Sequence, residues 1–220
     1  MALRLHHIFV CTSVGAPEAE ELESAGLIEG ASNIHPGQGT ANRRFFFESG
    51  FLELLWVRDE HEARSALPAS TNLWDRWAGR GTAANPFGLC FSCVDPIPVL
   101  PFTVRSYQPD YLPDNHPLLF ADGMTLSEPE IFVLGWPQGQ SSPASEPTKH
   151  PLGLCGIRSV SVGLPRPGSI SDTLRTIRDT GLLEVHEACA PELVVEFTSI
   201  KPVHFRVPSL AITVSGRRDP

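Results

Sequence analysis

The sequence predicts an α+β fold in which two βαβββ modules, residues 1–63 and 153–220, form an open-cleft mixed β-sheet, with residues 64–152 as an inserted middle segment. Two observations carry this prediction. Both ends of the chain show the order strand, helix and three strands, and both helices end at a glycine, Gly26 and Gly181. A module that leaves one sheet face open needs its twin, so the whole chain (1–220) is expected to be a single domain.

The elements of the first module follow from local patterns. The stretch "LRLHHIFVCT" (3–12) has β-branched and aromatic residues without a helical period, which predicts a strand. In "GAPEAEELESAGL", Pro17 suits a first helical turn and the glutamates near it favour the positive end of the helix dipole. The stretches "NRRFFFES" and "FLELLWV" then predict two strands joined by a tight turn at Ser49 and Gly50.

Local patterns also predict helices and strands in the middle and last segments. The middle segment contains a short helix in "TNLWDRWAGR", strands in "PFGLCFSCV", "PLLFADG" and "EIFVLGW", and a polar loop in "PQGQSSPASEPTKHP". In the last segment, "GSISDTLRTIRDTG" predicts a helix with an apolar stripe of Ile170, Leu174 and Ile177. Strands are predicted before that helix and in three stretches after it.

Composition limits the class of protein. Hydrophobic residues make up 41% and charged residues 19% of the chain, as in globular proteins, and the net charge of −8 argues against a nucleic-acid partner. No apolar run reaches membrane-spanning length and no signal peptide is recognisable, so we expect a cytoplasmic protein without membrane contact. Five cysteines suggest reduced thiols. Cys90 and Cys93, three apart on a strand, are expected to face opposite ways and not to act as a pair.

Three stretches, "LHHIFV", "HPGQGTANRRFFF" and "FLELLWV", resemble the glyoxalase-like branch of the vicinal-oxygen-chelate superfamily. The resemblance covers the first 60 or so residues well and the last segment by pattern. It implies that each module curls into half of a cleft whose concave face holds a ligand or metal. It also implies a small-molecule ligand and a homodimer, since such modules commonly pair across chains.

The resemblance places metal-ligand positions at His7 and Glu53, which are also the predicted catalytic residues. A carboxylate within an apolar strand is costly to bury unless it is paired or bound to a cation. Imidazole and carboxylate ligands suit Fe, Mn, Ni, Zn or Co. The alternative is that the two side chains bond each other or the backbone and hold no metal. Since strand residues alternate, His6 is expected on the opposite face.

The last segment weakens the expectation of a metal. Aligning the two predicted modules puts Ser159 opposite His7 and Ala211 opposite Glu53, and neither is a metal ligand of the expected kind. Two protein ligands seldom hold a catalytic transition metal, so a metal-free state is favoured. A divalent metal would need ligands from the middle segment, where the candidates are His116, Glu128 and Glu130.

Four residues are predicted to bind substrate: Asn42, Arg44, His35 and Trp56. An arginine or asparagine that points into a cleft can hold a carboxylate or carbonyl oxygen, and strand alternation places Asn42 and Arg44 on one face. The favoured function is a glyoxalase-like enzyme of lyase, isomerase or dioxygenase type. The alternatives are a metal-free enzyme with His7 or Glu53 as general base, and a metal-free protein that binds or sequesters a small molecule.

Metal content separates these functions. Because serine and alanine stand opposite His7 and Glu53, we expect elemental analysis of protein purified without chelator to find almost no transition metal. Added Zn, Ni, Co, Mn or Fe should then leave the melting temperature unchanged, although a bound ligand at a hundredfold its dissociation constant adds about 2.7 kcal/mol of stability. Close to one metal per chain, lost in Glu53→Gln, would contradict the expectation.

Overall fold

A computed structural model describes residues 3–95, 99–139 and 141–218. Its elements are β1 (Arg4–Cys11), α1 (Ala19–Ser24), β2 (Asn33–His35), β3 (Thr40–Phe46), β4 (Phe51–Val57), α2 (Glu60–Ala63), α3 (Ala66–Ala69), α4 (Leu73–Ala78), β5 (Phe87–Ser92), β6 (Val104–Tyr107), β7 (Leu118–Ala121), β8 (Glu130–Leu134), β9 (Leu154–Leu164), α5 (Asp172–Asp179), β10 (Glu184–Glu187), β11 (Glu192–Ser199), β12 (Val203–Val207) and β13 (Ile212–Arg217). None of the helices in these ranges is long and apolar enough to cross a membrane.

The larger sheet has eight strands in the order β2-β3-β4-β1-β5-β8-β7-β6. At its centre β1 and β5 run antiparallel, and each has a parallel neighbour, β4 beside β1 and β8 beside β5. The sheet therefore consists of two four-stranded halves with the same internal order, joined along the β1–β5 pair. The α+β class and the open-cleft mixed sheet predicted from the sequence are confirmed.

The chain segments that form this cleft differ from those predicted. Residues 64–152, expected to be an insertion, supply the second half of the sheet through β5 to β8. Residues 153–220 contribute a separate five-stranded sheet in the order β10-β9-β11-β13-β12. The two ends have the same order of elements along the chain, but their strands pair differently within the sheets. The first strand of the chain, β1, pairs with β4, whereas the first strand of the last segment, β9, pairs with β10 and β11. The expected superposition of the two ends across one cleft is therefore not found.

The five-stranded sheet packs against the outer face of the cleft sheet. Ile8 and Leu54 of the cleft sheet share one buried cluster with Val195 and Val214 of the second sheet. Phe47, just after β3, is completely buried, and its ring centroid lies 4.6 Å from that of Phe197. The concave face is thus left as the open side of the cleft sheet, while its back is buried.

Polar contacts fix the loop before β9 and the start of α5 to the part of the chain that forms the cleft sheet. His150, in the predicted polar loop, donates from Nε2 to the Phe46 carbonyl (2.8 Å) and accepts from the Ile28 amide at Nδ1 (3.0 Å). At the start of α5, the Ser171 hydroxyl accepts from the Leu174 amide and so caps the helix. The Ser171 amide in turn donates to the Glu128 carboxylate near β8.

The packing of Phe47 between the sheets yields a stability prediction. Phe47→Ala should lower the free energy of unfolding by about 3–5 kcal/mol, because it removes a buried ring and leaves a cavity. Denaturant titration measures the change. Val14→Ala, at a residue 66% exposed, is the control and should change stability by less than about 0.5 kcal/mol. Equal effects of the two substitutions would show that the sheets do not depend on this contact.

Candidate functional site

The concave face of the eight-stranded sheet encloses a cavity of about 350 Å³. One wall, from β1 to β4 and the loops beside them, is mostly polar. The opposite wall, from β7, β8 and the segments next to them, is apolar and includes Leu118, Phe120, Phe132, Leu134 and Trp136. A cavity with one polar and one apolar wall suits a small molecule that has oxygen functions at one end.

Strand register explains why charged residues meet on this face. Arg44 on β3 stands beside Glu53 on β4, Glu53 beside Phe9 on β1, Phe9 beside Gly88 on β5, and Gly88 beside Glu130 on β8. His7 lies two residues before Phe9 on β1 and therefore on the same face of the sheet. Its neighbours on the adjacent strands are Phe51 on β4 and Cys90 on β5. The rings of His7 and Phe51 stack at 4.4 Å between centroids.

His7, Glu53 and Asn42 form a buried polar group at the polar wall. His7 Nε2 lies 3.6 Å from Glu53 Oε2, and Asn42 Nδ2 donates to Glu53 Oε1 at 2.6 Å. Each of the three residues is at most 9% exposed. Asn42 also accepts at Oδ1 from the Asn33 amide, which fixes its side-chain orientation. The structure therefore brings together three of the residues that the sequence analysis selected.

Burial changes the proton affinities of this group. Burial raises the pKa of Glu53, and the Asn42 hydrogen bond and the Arg44 charge oppose that change. Burial also lowers the pKa of His7 well below its usual value, with smaller contributions from His6, Arg44 and His35. The imidazole of His7 is therefore neutral and keeps a lone pair, while Glu53 holds a proton more readily than an exposed carboxylate does.

His6 lies at the cavity, contrary to the expectation that it faces the other way. The pairing of β1 with β5 shifts register between Leu5 and His7, so His6 is left without a partner on β5. Such a bulge breaks the alternation of side chains, which local sequence does not reveal. His6 Nδ1 lies 2.8 Å from His7 Nδ1. Burial lowers the pKa of His6 to about 4.

Cys90 is a second residue of the site that sequence reasoning missed. It is fully buried on β5 and pairs with His7 across the two central strands. One ligand atom from each of His6, His7 and Cys90 lies within 4.8 Å of the other two. As expected for positions three apart on a strand, Cys93 belongs to the core on the opposite face. Only the pairing of β1 with β5 makes Cys90 a neighbour of the two histidines.

Besides Asn42, the polar wall contains two more of the predicted substrate-binding residues, Arg44 and His35. Contacts with neighbouring groups hold both side chains in place. Arg44 donates from Nε to the Ala31 carbonyl, and its guanidinium carbon lies 4.9 Å from the centroid of the Phe46 ring. His35 contacts Thr40 Oγ1 through Nδ1 at 2.8 Å. Burial, with a smaller contribution from the Arg44 charge, lowers the pKa of His35 to about 4.

Tyr111, from the proline-rich stretch after β6, covers the polar wall. Its hydroxyl donates to Gln38 Oε1 at 2.9 Å, and its ring centroid lies 4.9 Å from that of His35. Tyr107 donates to the same oxygen at 3.2 Å. The middle segment therefore closes the cleft over the loop that contains Gln38. The sequence analysis did not select Gln38, Tyr107 or Tyr111, since nothing local links the two segments.

Trp56, the fourth predicted substrate-binding residue, lies away from the cavity. On β4, Glu53 and Leu55 face the cleft, whereas Trp56 packs against the core shared with the second sheet. Strand alternation thus accounts for its position. Ser159 and Ala211 lie on or beside strands of the second sheet, so their comparison with His7 and Glu53 does not describe this cleft.

Of the middle-segment candidates for metal ligation, Glu130 reaches the cavity. Its carboxylate, however, lies 3.1 Å from Nη2 of the buried Arg76. Glu128 accepts from the Ser171 and Thr125 amides, and the His116 ring packs edge-on against Trp136. Glu128 and His116 therefore make structural contacts with these neighbours, while Glu130 forms an ion pair with Arg76.

Comparisons with known proteins give structural neighbours only. No family model and no curated protein matches the chain. A hypothetical protein from Staphylococcus aureus aligns over 98% of this chain and 99% of its own, with 10% identity and a TM-score of 0.49. A xylose isomerase-like TIM barrel/4-hydroxyphenylpyruvate dioxygenase fusion protein shows 10% identity and a TM-score of 0.45 over 99% of this chain. A mutant of 4-hydroxymandelate synthase from Streptomyces coelicolor shows 11% identity and a TM-score of 0.45 over 97% of this chain.

This chain spans 32% of the fusion protein and 62% of the synthase. Both of those neighbours are of the vicinal-oxygen-chelate superfamily. With TM-scores below 0.5, the three similarities carry no argument about the activity of this protein.

The partly buried His35 predicts how stability depends on pH. Its folded-state pKa of about 4 lies below the usual value of 6.5, so between these values the unfolded chain takes up a proton that the folded protein excludes. Stability should therefore fall as pH decreases through this window. His35→Asn should reduce the loss of unfolding free energy between about pH 7 and about pH 5, as measured by urea titration. His204→Asn, at an exposed site on the second sheet, is the control. Identical pH dependence in His35→Asn and the unsubstituted protein would contradict the prediction.

Proposed function

We propose that this protein is a glyoxalase-like enzyme of the vicinal-oxygen-chelate superfamily that acts on a small oxygenated molecule in the cleft over the His7/Glu53 face. The observation that supports this proposal is the buried group of His7, Glu53 and Asn42 at the wall of a cavity of about 350 Å³. Burying a carboxylate and an imidazole together is costly, and functional sites are where such groups concentrate.

Glu53 has the properties of a general base. Burial raises its pKa, and a base with a pKa nearer to neutrality accepts a proton from carbon or oxygen more effectively than an ordinary carboxylate. Asn42 holds one carboxylate oxygen at 2.6 Å and leaves the other directed toward His7. Proton abstraction next to a carbonyl is a step that isomerases and lyases share. A divalent metal bound beside His7 would polarise the substrate oxygen.

The walls of the cavity indicate the kind of substrate. Phe120, Phe132 and Leu134 contribute an apolar surface opposite Glu53, and Arg44 places a positive charge at the polar wall. An amphipathic small molecule with an apolar body and one or more oxygen functions fits this distribution. A carboxylate or enolate oxygen near Arg44 would gain a charge-assisted hydrogen bond.

The second candidate is a metal-free protein of the same fold that binds or sequesters a small molecule. The observation that favours it is the extent of the apolar wall, together with the partners already held by the two cleft carboxylates, Asn42 for Glu53 and Arg76 for Glu130. In that case the cavity would bind its ligand without turnover. Homodimer formation, a cytoplasmic location and the single domain 1–220 stay predictions from the sequence.

Substitution of Glu53 tests the enzymatic proposal. We expect the unsubstituted protein to turn over a member of a panel of hemithioacetals, 2-oxo acids and catechols, assayed with and without added divalent metal. Glu53→Gln keeps the shape but removes the base, and should lower kcat by at least about 100-fold. Trp56→Phe, on the opposite sheet face, is the matched control and should keep the activity.

Two results would count against the enzymatic proposal. Unchanged turnover in Glu53→Gln would remove Glu53 as the base. Thermal stabilisation by panel members without turnover of any of them would instead support the binding or sequestration function.

A further inference from the structure

We propose that the cleft holds a thiolate-containing metal site in which His6, His7 and Cys90 are the ligands and Glu53 orients His7 from outside the coordination shell. The use of this metal in catalysis rests on the proposed function. The test described below measures metal binding alone. It differs from the pair of ligands expected from the sequence, in which Glu53 itself binds the metal.

The three donors converge because of two features of β1. The bulge between Leu5 and His7 turns His6 into the cleft, and the pairing of β1 with β5 sets Cys90 beside His7. His6 Nδ1 and His7 Nδ1 lie 2.8 Å apart, and the Cys90 sulfur completes a group whose ligand atoms lie within 4.8 Å of each other. Bond lengths of about 2.0 Å to nitrogen and about 2.3 Å to sulfur require donors about 3.3–3.6 Å apart in a tetrahedral site. The observed separations, 2.8 Å between the two nitrogens and at most 4.8 Å within the group, lie on either side of that range.

The two nitrogens of His7 have different neighbours. Nδ1 faces His6, whereas Nε2 lies 3.6 Å from Glu53 Oε2. A histidine that binds a metal through one nitrogen commonly directs the other toward a carboxylate, which fixes the ring and increases its basicity. Glu53 is in position for this outer role, while its second oxygen stays bonded to Asn42. The metal therefore lies on the His6 side of the His7 ring.

The nature of the donors selects the metal. One thiolate and two imidazoles favour Zn²⁺, Co²⁺ or Ni²⁺ over Mg²⁺ and Ca²⁺, which prefer oxygen ligands. On binding, the Cys90 thiol releases its proton to solvent and the sulfur donates a lone pair to the metal. His6 and His7 both line the cavity, so the remaining coordination position faces the space for the small molecule. This is the open position that a catalytic metal site requires.

The middle segment thus supplies the ligand that the last segment lacks. The expectation of a metal-free state rested on Ser159 and Ala211, but neither belongs to the cleft sheet. The partner of His7 across the centre of the cleft is Cys90. The Cys90 thiol donates a long hydrogen bond to the Phe91 carbonyl (3.7 Å), which uses its proton and leaves the sulfur lone pairs to a metal.

Cobalt spectroscopy tests the site directly. The full chain, first treated with a chelator, is titrated with Co²⁺. We expect one equivalent to bind, with thiolate-to-cobalt charge-transfer absorption in the near ultraviolet. Cys90→Ala should abolish that absorption, and Cys90→Ser, which keeps the side-chain size, should do the same with native circular dichroism. Cys11→Ala is the matched control, because Cys11 is buried in the same apolar cluster on the cleft face.

The same cobalt titration, applied to Glu53→Gln, tests the role of Glu53. Glu53→Gln should keep the near-ultraviolet absorption and weaken the affinity about 10- to 100-fold, as expected for an outer partner of a ligating histidine. Cobalt that binds without thiolate absorption and is lost in Glu53→Gln would overturn the proposal in favour of ligation by His7 and Glu53. Absence of cobalt binding would also overturn it. The turnover of Glu53→Gln is therefore measured at saturating metal, so that a lower kcat reports the loss of the base while the titration reports metal binding.

Discussion

The antiparallel pairing of β1 with β5 is the constraint on which the rest of the cleft depends. It joins two four-stranded halves into one curved sheet, and its register decides which side chains share the concave face. It aligns Phe9 with Gly88, which puts Glu53 and Glu130 at matching positions in the two halves. The same register places Cys90 beside His7, and its irregularity turns His6 inward. A shift of one residue would send each of these side chains to the other face.

The two buried carboxylates show how the halves have diverged. Glu130 lies 3.1 Å from Arg76, whose guanidinium is itself buried and also donates to the carbonyls of Asn85 and Glu128. Glu53 is held by the neutral amide of Asn42 and faces an imidazole. Burial raises the pKa of both carboxylates, and the contact with Asn42 opposes that change for Glu53 as the charge of Arg76 does for Glu130. The buried carboxylate is thus held by an amide in the half built from β1 to β4 and by an arginine in the other half.

The second sheet supports the wall formed by β1 to β4 from behind. The rings of Phe47 and Phe197 pack against each other at a tilt of 54° between the sheets, and His150 bonds the Phe46 carbonyl just before Phe47. Phe46 in turn packs beside Phe51, the residue that stacks on His7. Positions of catalytic groups need to be fixed to within a fraction of an ångström, and close packing behind the sheet provides that precision.

The sequence by itself determined the elements and part of the site. Apolar alternation and turn residues identified β1, β3, β4 and α5, because those signals depend only on neighbours along the chain. The family resemblance selected His7 and Glu53, the cost of burying a charge within "FLELLWV" supported Glu53, and strand alternation grouped Asn42 with Arg44. Only the tertiary structure decided which segment completes the cleft. It also decided that His6 and Cys90 join His7 and that Trp56 does not. Those outcomes depend on hydrogen bonds between strands about 80 residues apart, and no local pattern encodes which of several similar strands becomes the partner of β1.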